Sequence, residues 1–519
     1  MRLKALLAGT GLSEEGSCDP PITGLSADSR RIEVGDLFIA VRGSAVDGGD
    51  FIEDALSRGA AAVVAAGDRP EGWPVEVAFV SLGSASQVSP DQGEPGLTDR
   101  CAYAELAANF WGRPSERLTL VGVTGTNGKT TTASLIESIL ESAWGGCGLL
   151  GTVRSSTGKT SRASSMTTPA PEYLQAALAE MVAAGLPAVV MEVSSHALDQ
   201  DRVAALSFDL AVYTSLGRDH LDYHGSLEAY AAAKAKLVGG IVSGGALVLN
   251  EDDVVFRGLA SQRDPTVRLL CYSARGQDGV DLGVEVVETS IAGSRFRLCV
   301  GSLEPGRQDA HCSLFGEHNI ENILAASAAG LALGLTLEEV ATGLERFPGV
   351  PGRMETLRMA ADYGFEVVVD YMHTPDAYAR VIAGLREMLA KTQGRLILVF
   401  GCGGDRDSGK RPQMGRLAAA GADLVFFTAD NPRGETLDAI AKDVEAGVEA
   451  GESRAQWCRI DDRREAIWAA LDAARANDIC LLAGKGHETF QVLGSKTLDW
   501  DDRAVVAEWA QRKDKPAGS

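Results

Sequence analysis

The chain has 519 residues, 45% of them hydrophobic and 23% charged, with a formal net charge of −22. That length exceeds what one core organises, so about three domains are expected, and the acidic field excludes DNA, RNA and anionic membranes as partners while requiring a locally basic cleft for any anionic ligand. No apolar run approaches a membrane span, MRLKALLAGTGLSEEG is too short an apolar start for a signal peptide, and nine cysteines without a C-x-x-C pair suggest reduced, packed thiols, so a cytoplasmic protein without membrane insertion is expected.

In chain order, LFIAV (37–41) predicts a strand, FIEDALSRG (51–59) a helix closed by glycine, AAAVVAA (60–66) the next strand, and GSASQVSPDQGEPG (83–96) a surface loop. A helix over 99–111 leads to the strand TLVGV, which puts a boundary after residue 112. PEYLQAALAEMVAAG carries Leu174, Leu178, Met181 and Val182 at helical spacing, and AVVMEV (188–193) reads as a buried strand that completes a βαβ unit. RFPGVPGRME (346–355) breaks the pattern with prolines and glycines, so a second boundary falls after residue 346. EVVVD (366–370), LILVF (396–400), LVFFT (424–428) and ICLLA (479–483), spaced by helical segments, then predict a Rossmann-like domain. The expected class is α/β with parallel sheets covered by helices, in domains 1–112, 113–346 and 347–519.

Between strand and helix runs GVTGTNGKTTTASLIESIL, from Gly122 to Leu140. The pattern G-x-x-x-x-G-K-[ST] fails at Val123, yet Thr124, Gly125, Thr126, Asn127, Gly128, Lys129, Thr130 and Thr131 still form a turn able to aim amides at phosphate above a helix N-terminus. Lys129 would reach the β- and γ-phosphates, and Thr130 would ligate magnesium. A nucleotide-driven step also needs a carboxylate at a neighbouring strand end, where Glu192 stands; the alternative is a glutamate held by a buried arginine. His220 and His224 have a spacing that could place both rings on one helix face, but no zinc-protease glutamate lies between them. Taken alone, each histidine reads more readily as a hydrogen-bonded structural residue than as a ligand, and Lys234 as a helix-surface charge.

TGTNGKTT, MEVSSHAL, RDHLDYHG, AYAAAK, VPGRME, VDYMHTPDA, FGCGGDRDSGKRP, DNPR and GKGHE, in this order, resemble the Mur ligases of peptidoglycan synthesis, from about residue 28 to 491. TGTNGKT alone also occurs in folylpolyglutamate and cyanophycin synthetases. The resemblance implies an N-terminal UDP-binding domain, a central ATPase domain and a C-terminal domain for the incoming amino acid. It implies transfer of the ATP γ-phosphoryl group to a carboxylate, then attack of an amine on the acyl phosphate. On matching positions, His220 becomes a magnesium ligand beside Thr130 and Glu192, and Lys234 a carbamylated lysine that ligates metal. Asn319, Arg353 and Asp370 fall where the family contacts adenine, phosphate and ribose; helix-start capping, a surface ion pair and strand-end capping are their alternatives.

Ala27 and Ser29 match the uridine site, and Thr167, Thr168, Ser194, Gln200 and Arg202 match residues that hold the muramoyl peptide. Ser44, Ala45 and Val46 depart from the family's more polar loop, as do Gly217, Met372 and the Glu317-His318 pair from its common residues. Arg406, Asp430, Asn431, Pro432, Arg433, Gly484 and Glu488 match positions that grip the amino acid. A guanidinium at Arg433 suits the second carboxylate of meso-2,6-diaminopimelate and would repel the ammonium of lysine; a structural ion pair is the alternative. The implied substrates are ATP, UDP-N-acetylmuramoyl-L-alanyl-D-glutamate and meso-diaminopimelate, with Mg2+, in a monomer. Lysine addition, folate polyglutamylation and a catalytically silent nucleotide-binding scaffold are the competing readings.

Overall fold

The computed structural model describes residues 1–16, 18–43, 46–82, 98–164, 166–276, 279–301 and 306–514. The expected loop 83–96 and the Ser44-Ala45 pair lie outside them. Three separate sheets organise the chain, with a small hairpin beside the third. Near the N-terminus, strands Leu25–Ser26, Leu37–Ile39, Ala62–Ala65 and Ala78–Ser81 pair in that order, all parallel. The helix expected over 51–59 spans Ile52–Ser57, and the one over 99–111 spans Asp99–Phe110.

In the second sheet, strand Thr119–Thr124 lies between Ala188–Glu192 and Phe208–Tyr213, parallel to both. Gly148–Leu150 extends the parallel core on one side, and Ile241–Asn250 with Arg268–Tyr272 on the other. The expectation of a wholly parallel sheet is corrected here, because the sheet has eleven strands and is mixed. Arg154–Ser156 and Ser161–Ala163 add an antiparallel ribbon at one edge, and Leu282–Ser290, Gly293–Val300 and Gly306–Cys312 an antiparallel meander at the other. The difference follows residue patterning: the core strands bury both faces and are continuously apolar, whereas the meander carries Glu285, Glu288, Arg295 and Arg297 on a face open to water.

The third sheet runs Glu355–Thr356, Glu366–Asp370, Ile479–Ala483, Leu396–Phe400, Leu424–Phe427, Gln456–Arg459. Only the two-residue edge strand is antiparallel. Phe347 and Val350 still pack in the core of the second sheet, and Met354 in that of the third, so the chain crosses between them within that segment.

This arrangement positions the site through register. Val123 pairs with Glu192 and Tyr213 with Thr124, so the parallel strands end together at one carboxyl edge. Asp370 pairs with Ala483 at the corresponding edge of the third sheet. Loops leaving these edges supply many of the residues that sequence reasoning singled out, as expected for open α/β sheets, while Lys234 and Asn319 come from helices.

Candidate active site

The loop after Thr124 is locked before any ligand arrives. Thr124 Oγ1 donates to Val193 O (2.8 Å), Thr126 Oγ1 lies 3.1 Å from the Tyr230 hydroxyl, and Thr126 N donates to Ser215 O (2.6 Å). These two threonines therefore brace the turn. Gly125 and Gly128 have φ of +151° and +86°, and a Cβ at either would collide with Thr214 Oγ1 or Asn322 Oδ1. Only glycine fits both the backbone and the space. Helix Lys129–Trp144 begins directly beyond, with no side chain capping its first amides.

Beneath this loop two lysines meet. Lys129 Nζ donates to the carbonyl oxygens of Gly125 and Thr126 (2.9 Å each), and Lys234 Nζ donates to the same Gly125 oxygen (2.7 Å). Lys234 is 1% exposed on helix Leu227–Ala235, under the Tyr230 ring, so its reading as a helix-surface charge is wrong. Burial lowers both pKa values; that of Lys234 falls well below the ordinary range, with the Lys129 charge acting in the same direction.

On the other side of the helix start, Glu192 accepts from Thr130 Oγ1 (2.9 Å), Thr152 N (2.6 Å) and Thr152 Oγ1 (3.0 Å). Hydroxyls and an amide hold it, not the arginine considered as an alternative. A buried carboxylate beside a hydroxyl is a hard-oxygen donor pair that fits Mg2+.

His220 precedes the four-residue helix Leu221–His224 with φ +55°, and His224 Nε2 is taken up by Ser195 Oγ (3.0 Å). The two rings therefore do not form one helix-face ligand pair, because the helix starts only after His220. Burial pushes the His220 pKa down to about 4, which keeps its ring neutral, and its Nε2 lies 3.5 Å from Asp219.

A cleft between the second and third sheets is lined by Asn127, Gly128, Thr131, Asn319, Arg353 and Asp370. Asn319 Nδ2 donates to Phe315 O inside the first turn of helix Glu317–Ala332, whose N-cap is Gly316, so helix-start capping is not its role. Arg353 makes no surface ion pair among the described residues. Its guanidinium stacks 4.5 Å over Tyr371 and its Nη2 reaches Thr130 Oγ1 at 3.4 Å. Asp370 accepts from the amides of Met354 and Met372 (2.7 Å each), the strand-end capping foreseen as an alternative, and burial raises its pKa. Sequence reasoning missed Arg380 and Glu321, an ion pair (2.8 Å) that ties the two sheets together along this cleft.

A larger cavity of about 570 Å³ brings the remaining residues together. Its central-sheet wall holds Thr167, Thr168, Ser194, His220 and Arg202, and its other wall Arg406, Asp430, Asn431, Arg433, Gly484 and Glu488. Thr168 Oγ1 donates to Glu192 O (2.8 Å), which couples this wall to the metal-ligand candidate. Gln200 does not line the cavity; its Oε1 holds Arg202 at 2.7 Å from Nη2. Arg433 has φ +50° and donates to Gly404 O (2.9 Å) and Asn431 O (3.3 Å), so the structural ion pair is absent among the described residues. Pro432 shapes the loop without lining the cavity, and Ala27 and Ser29 stand apart from it in the first sheet's domain. Asp219, His373 and Lys410 also line it and were not foreseen, although RDH, YMH and SGK had been singled out as motifs.

The sequence matches the Mur ligase family, catalytic domain, over residues 21–110, the Mur ligase middle domain over 123–330 and the Mur ligase, glutamate ligase domain over 352–486. It is 43% identical over 512 residues to the UDP-N-acetylmuramoyl-L-alanyl-D-glutamate--2,6-diaminopimelate ligase of Gloeobacter violaceus, covering 98% of each chain. It is 41% identical over 494 residues to the ligase of the same name from Geobacillus kaustophilus, covering 94% of each. A solved structure of a ligase of that name superposes with a TM-score of 0.63 at 33% identity, over 95% of this chain and 96% of that one. The chain belongs to the Mur ligase family.

Proposed function

We infer that the protein is an ATP-dependent amide ligase that adds meso-diaminopimelate to UDP-N-acetylmuramoyl-L-alanyl-D-glutamate in peptidoglycan precursor synthesis. The observation that carries this reading is the shared cavity, with hydroxyls and Arg202 on one wall and the Asp430–Arg433 loop with Glu488 on the other. It adjoins the nucleotide cleft, since Tyr371 and His373 line both. The names of the relatives at 43% and 41% identity agree with it. A domain limit at 112/113 accords with separate first and second sheets, whereas one at 346/347 falls a few residues early, since Phe347 and Val350 pack with the second sheet and Met354 with the third. The described residues include no helix long and apolar enough to cross a membrane, in keeping with a cytoplasmic site of action. A monomer suffices, because both walls of the cavity come from one chain.

A carboxylate is a poor electrophile until a phosphoryl group is attached. Transfer of the γ-phosphoryl group to the D-glutamyl side-chain carboxylate releases ADP; attack by the incoming amine then forms the amide and expels phosphate. Bound Mg2+ would supply charge neutralisation at the phosphates, with Thr130, Glu192, His220 and carbamylated Lys234 as its ligands. Lys129 would turn from the Gly125 and Thr126 carbonyls to the β- and γ-phosphates, and the exposed amides at the start of its helix would receive phosphate oxygens. Arg353, already within reach of Thr130, would add a second cation there. Asp370 keeps spare lone pairs for a ribose hydroxyl while accepting two amides.

The paired lysines support carbamylation. Two ammonium groups on one carbonyl repel, and a buried lysine with a lowered pKa offers the neutral amine that CO2 requires. Arg406 and Arg433 would hold carboxylates of diaminopimelate, and Asp430 and Glu488 its ammonium groups. Water must be shut out, since it would hydrolyse the acyl phosphate.

The test is ADP and phosphate release with meso-diaminopimelate, L-lysine or glutamate as acceptor. The expected result is strong preference for meso-diaminopimelate, with Lys129→Ala reducing release by about 10²-fold or more. Preference for lysine, or ADP release unchanged in Lys129→Ala, refutes the reading.

A further inference from the structure

Lys485 is fully buried, does not line the large cavity, and yet touches the groups that do. Its Nζ donates to Glu488 Oε2 (2.9 Å) and Asn431 Oδ1 (3.2 Å) and lies 3.8 Å from Asp430 Oδ1. Asn431 completes the array. Its Oδ1 also accepts from Val492 N (2.9 Å), and its Nδ2 donates to the same Glu488 Oε2 (2.8 Å). Among the described residues, no hydrogen bond reaches Glu488 Oε1.

We propose that Lys485 is a positioning residue for the amino-acid site: its ammonium group fixes the Glu488 and Asn431 side chains and offsets the Asp430–Glu488 charge, leaving one Glu488 oxygen for the ammonium group of the incoming amino acid. Two carboxylates this close, without a cation between them, would repel each other and swing apart. A buried lysine is a costly counterion, because its desolvation is recovered only through short contacts to both partners. That cost is met at one end of the cavity, where the strand Ile479–Ala483 delivers Gly484 and Lys485 beside the loop carrying Asp430 and Asn431. The ring of Phe490 closes the remaining side at 5.7 Å. Lys485 thus acts through Glu488 and Asn431 and does not touch the substrate itself.

The inference rests on the assignment of this cavity to the amino acid, and the experiment separates the two. Steady-state kinetics of Lys485→Met and Lys485→Arg would be compared with wild type for every substrate, using whichever amino acid the wild-type enzyme accepts. The expected result for Lys485→Met is a KM for the amino acid raised about tenfold or more, with kcat and the KM for ATP near wild type. Lys485→Arg, which keeps charge and donors, restores part of the difference. If Lys485→Met does not fold, Lys485→Gln, which keeps a donor for Glu488 without the charge, is read in the same way. An unchanged amino-acid KM overturns the proposal, and so does a loss spread equally over all substrates. A wild-type preference for lysine would refute the reading of the cavity while leaving Lys485 to be judged by the same KM split.

Discussion

Lys234→Met replaces a buried ammonium group with an apolar chain of similar length. Among the described residues Lys234 Nζ donates only to Gly125 O, which would not be orphaned, because Lys129 Nζ stays 2.9 Å away. A lysine whose pKa is lowered in the fold and ordinary when unfolded costs stability, up to a ceiling of about 5 kcal/mol at pH 7 set by the ordinary value of 10.5. Methionine escapes that cost but forfeits one hydrogen bond, worth about 1 kcal/mol, and some packing. The expected net gain is about 1–3 kcal/mol in CO2-free buffer, with ADP release falling about 10²-fold or more.

The pH dependence gives the sign. Between the lowered folded-state pKa and 10.5 the unfolded chain carries one more proton than the folded one, so wild-type stability rises with pH by up to about 1.4 kcal/mol per unit. Below the folded-state value that slope vanishes. Lys129, also lowered, contributes to both proteins alike, so the difference between the two curves isolates Lys234. Denaturant unfolding from pH 6 to 9, paired with an ADP assay, reads both outcomes. A variant less stable than wild type by more than about 1 kcal/mol, parallel stability curves, or retained turnover would refute the reasoning.

Arg433→Lys should raise the KM for meso-diaminopimelate by about 10–100-fold and leave that for ATP unchanged, because an ammonium group cannot reproduce a guanidinium fork toward carboxylate; equal KM values in the two proteins would remove Arg433 from substrate recognition. Gly128→Ala places a Cβ against Asn322 Oδ1 at φ +86°, a conformation that alone costs about 1–2 kcal/mol. It should lower the melting temperature and weaken ATP binding about tenfold or more by calorimetry, and unchanged affinity would show that the turn tolerates the shift.

The parallel strands could be read from the sequence because burial on both faces leaves continuous apolar runs, and EVVVD, LILVF and ICLLA match their observed limits. The antiparallel ribbon and meander escaped notice because their outer face is charged and their alternation is broken, as at the register shift between Val286 and Glu288. Loop chemistry around Gly125–Thr131 was visible because glycine, lysine and threonine at that spacing have few other uses. The burial of Lys234 was not visible, since no local pattern separates a surface lysine on an alanine-rich helix from one under a phosphate loop. Lys485 and Asp219 were passed over for a related reason. Each sits beside a residue with an assigned role, and only three-dimensional contact shows that Lys485 faces Glu488 and that Asp219 faces His373 across two domains.

The acidic composition and the anionic substrates are reconciled at the carboxyl edges of the sheets. A chain of net charge −22 repels ATP and a UDP-sugar at long range, over distances where salt also screens the field. Inside the clefts the acidic excess disappears: Arg202, Arg406, Lys410, Arg411 and Arg433 line the larger cavity with Asp219, Asp222, Asp407, Asp430 and Glu488, and Arg353 and Arg380 line the narrower cleft with Glu321 and Asp370, so anions meet cations at close range there. Low-dielectric walls strengthen each of these charges relative to the surface. The same crowding makes an unpaired cation expensive, and Lys234, which shares an acceptor with Lys129 and meets no carboxylate among the described residues, bears that expense most directly. Conversion of its amine to a carbamate would relieve that crowding and supply a negative oxygen ligand in one step, so the lysine that burial and its neighbour disfavour most as a cation is the one with the strongest physical reason to be chemically modified.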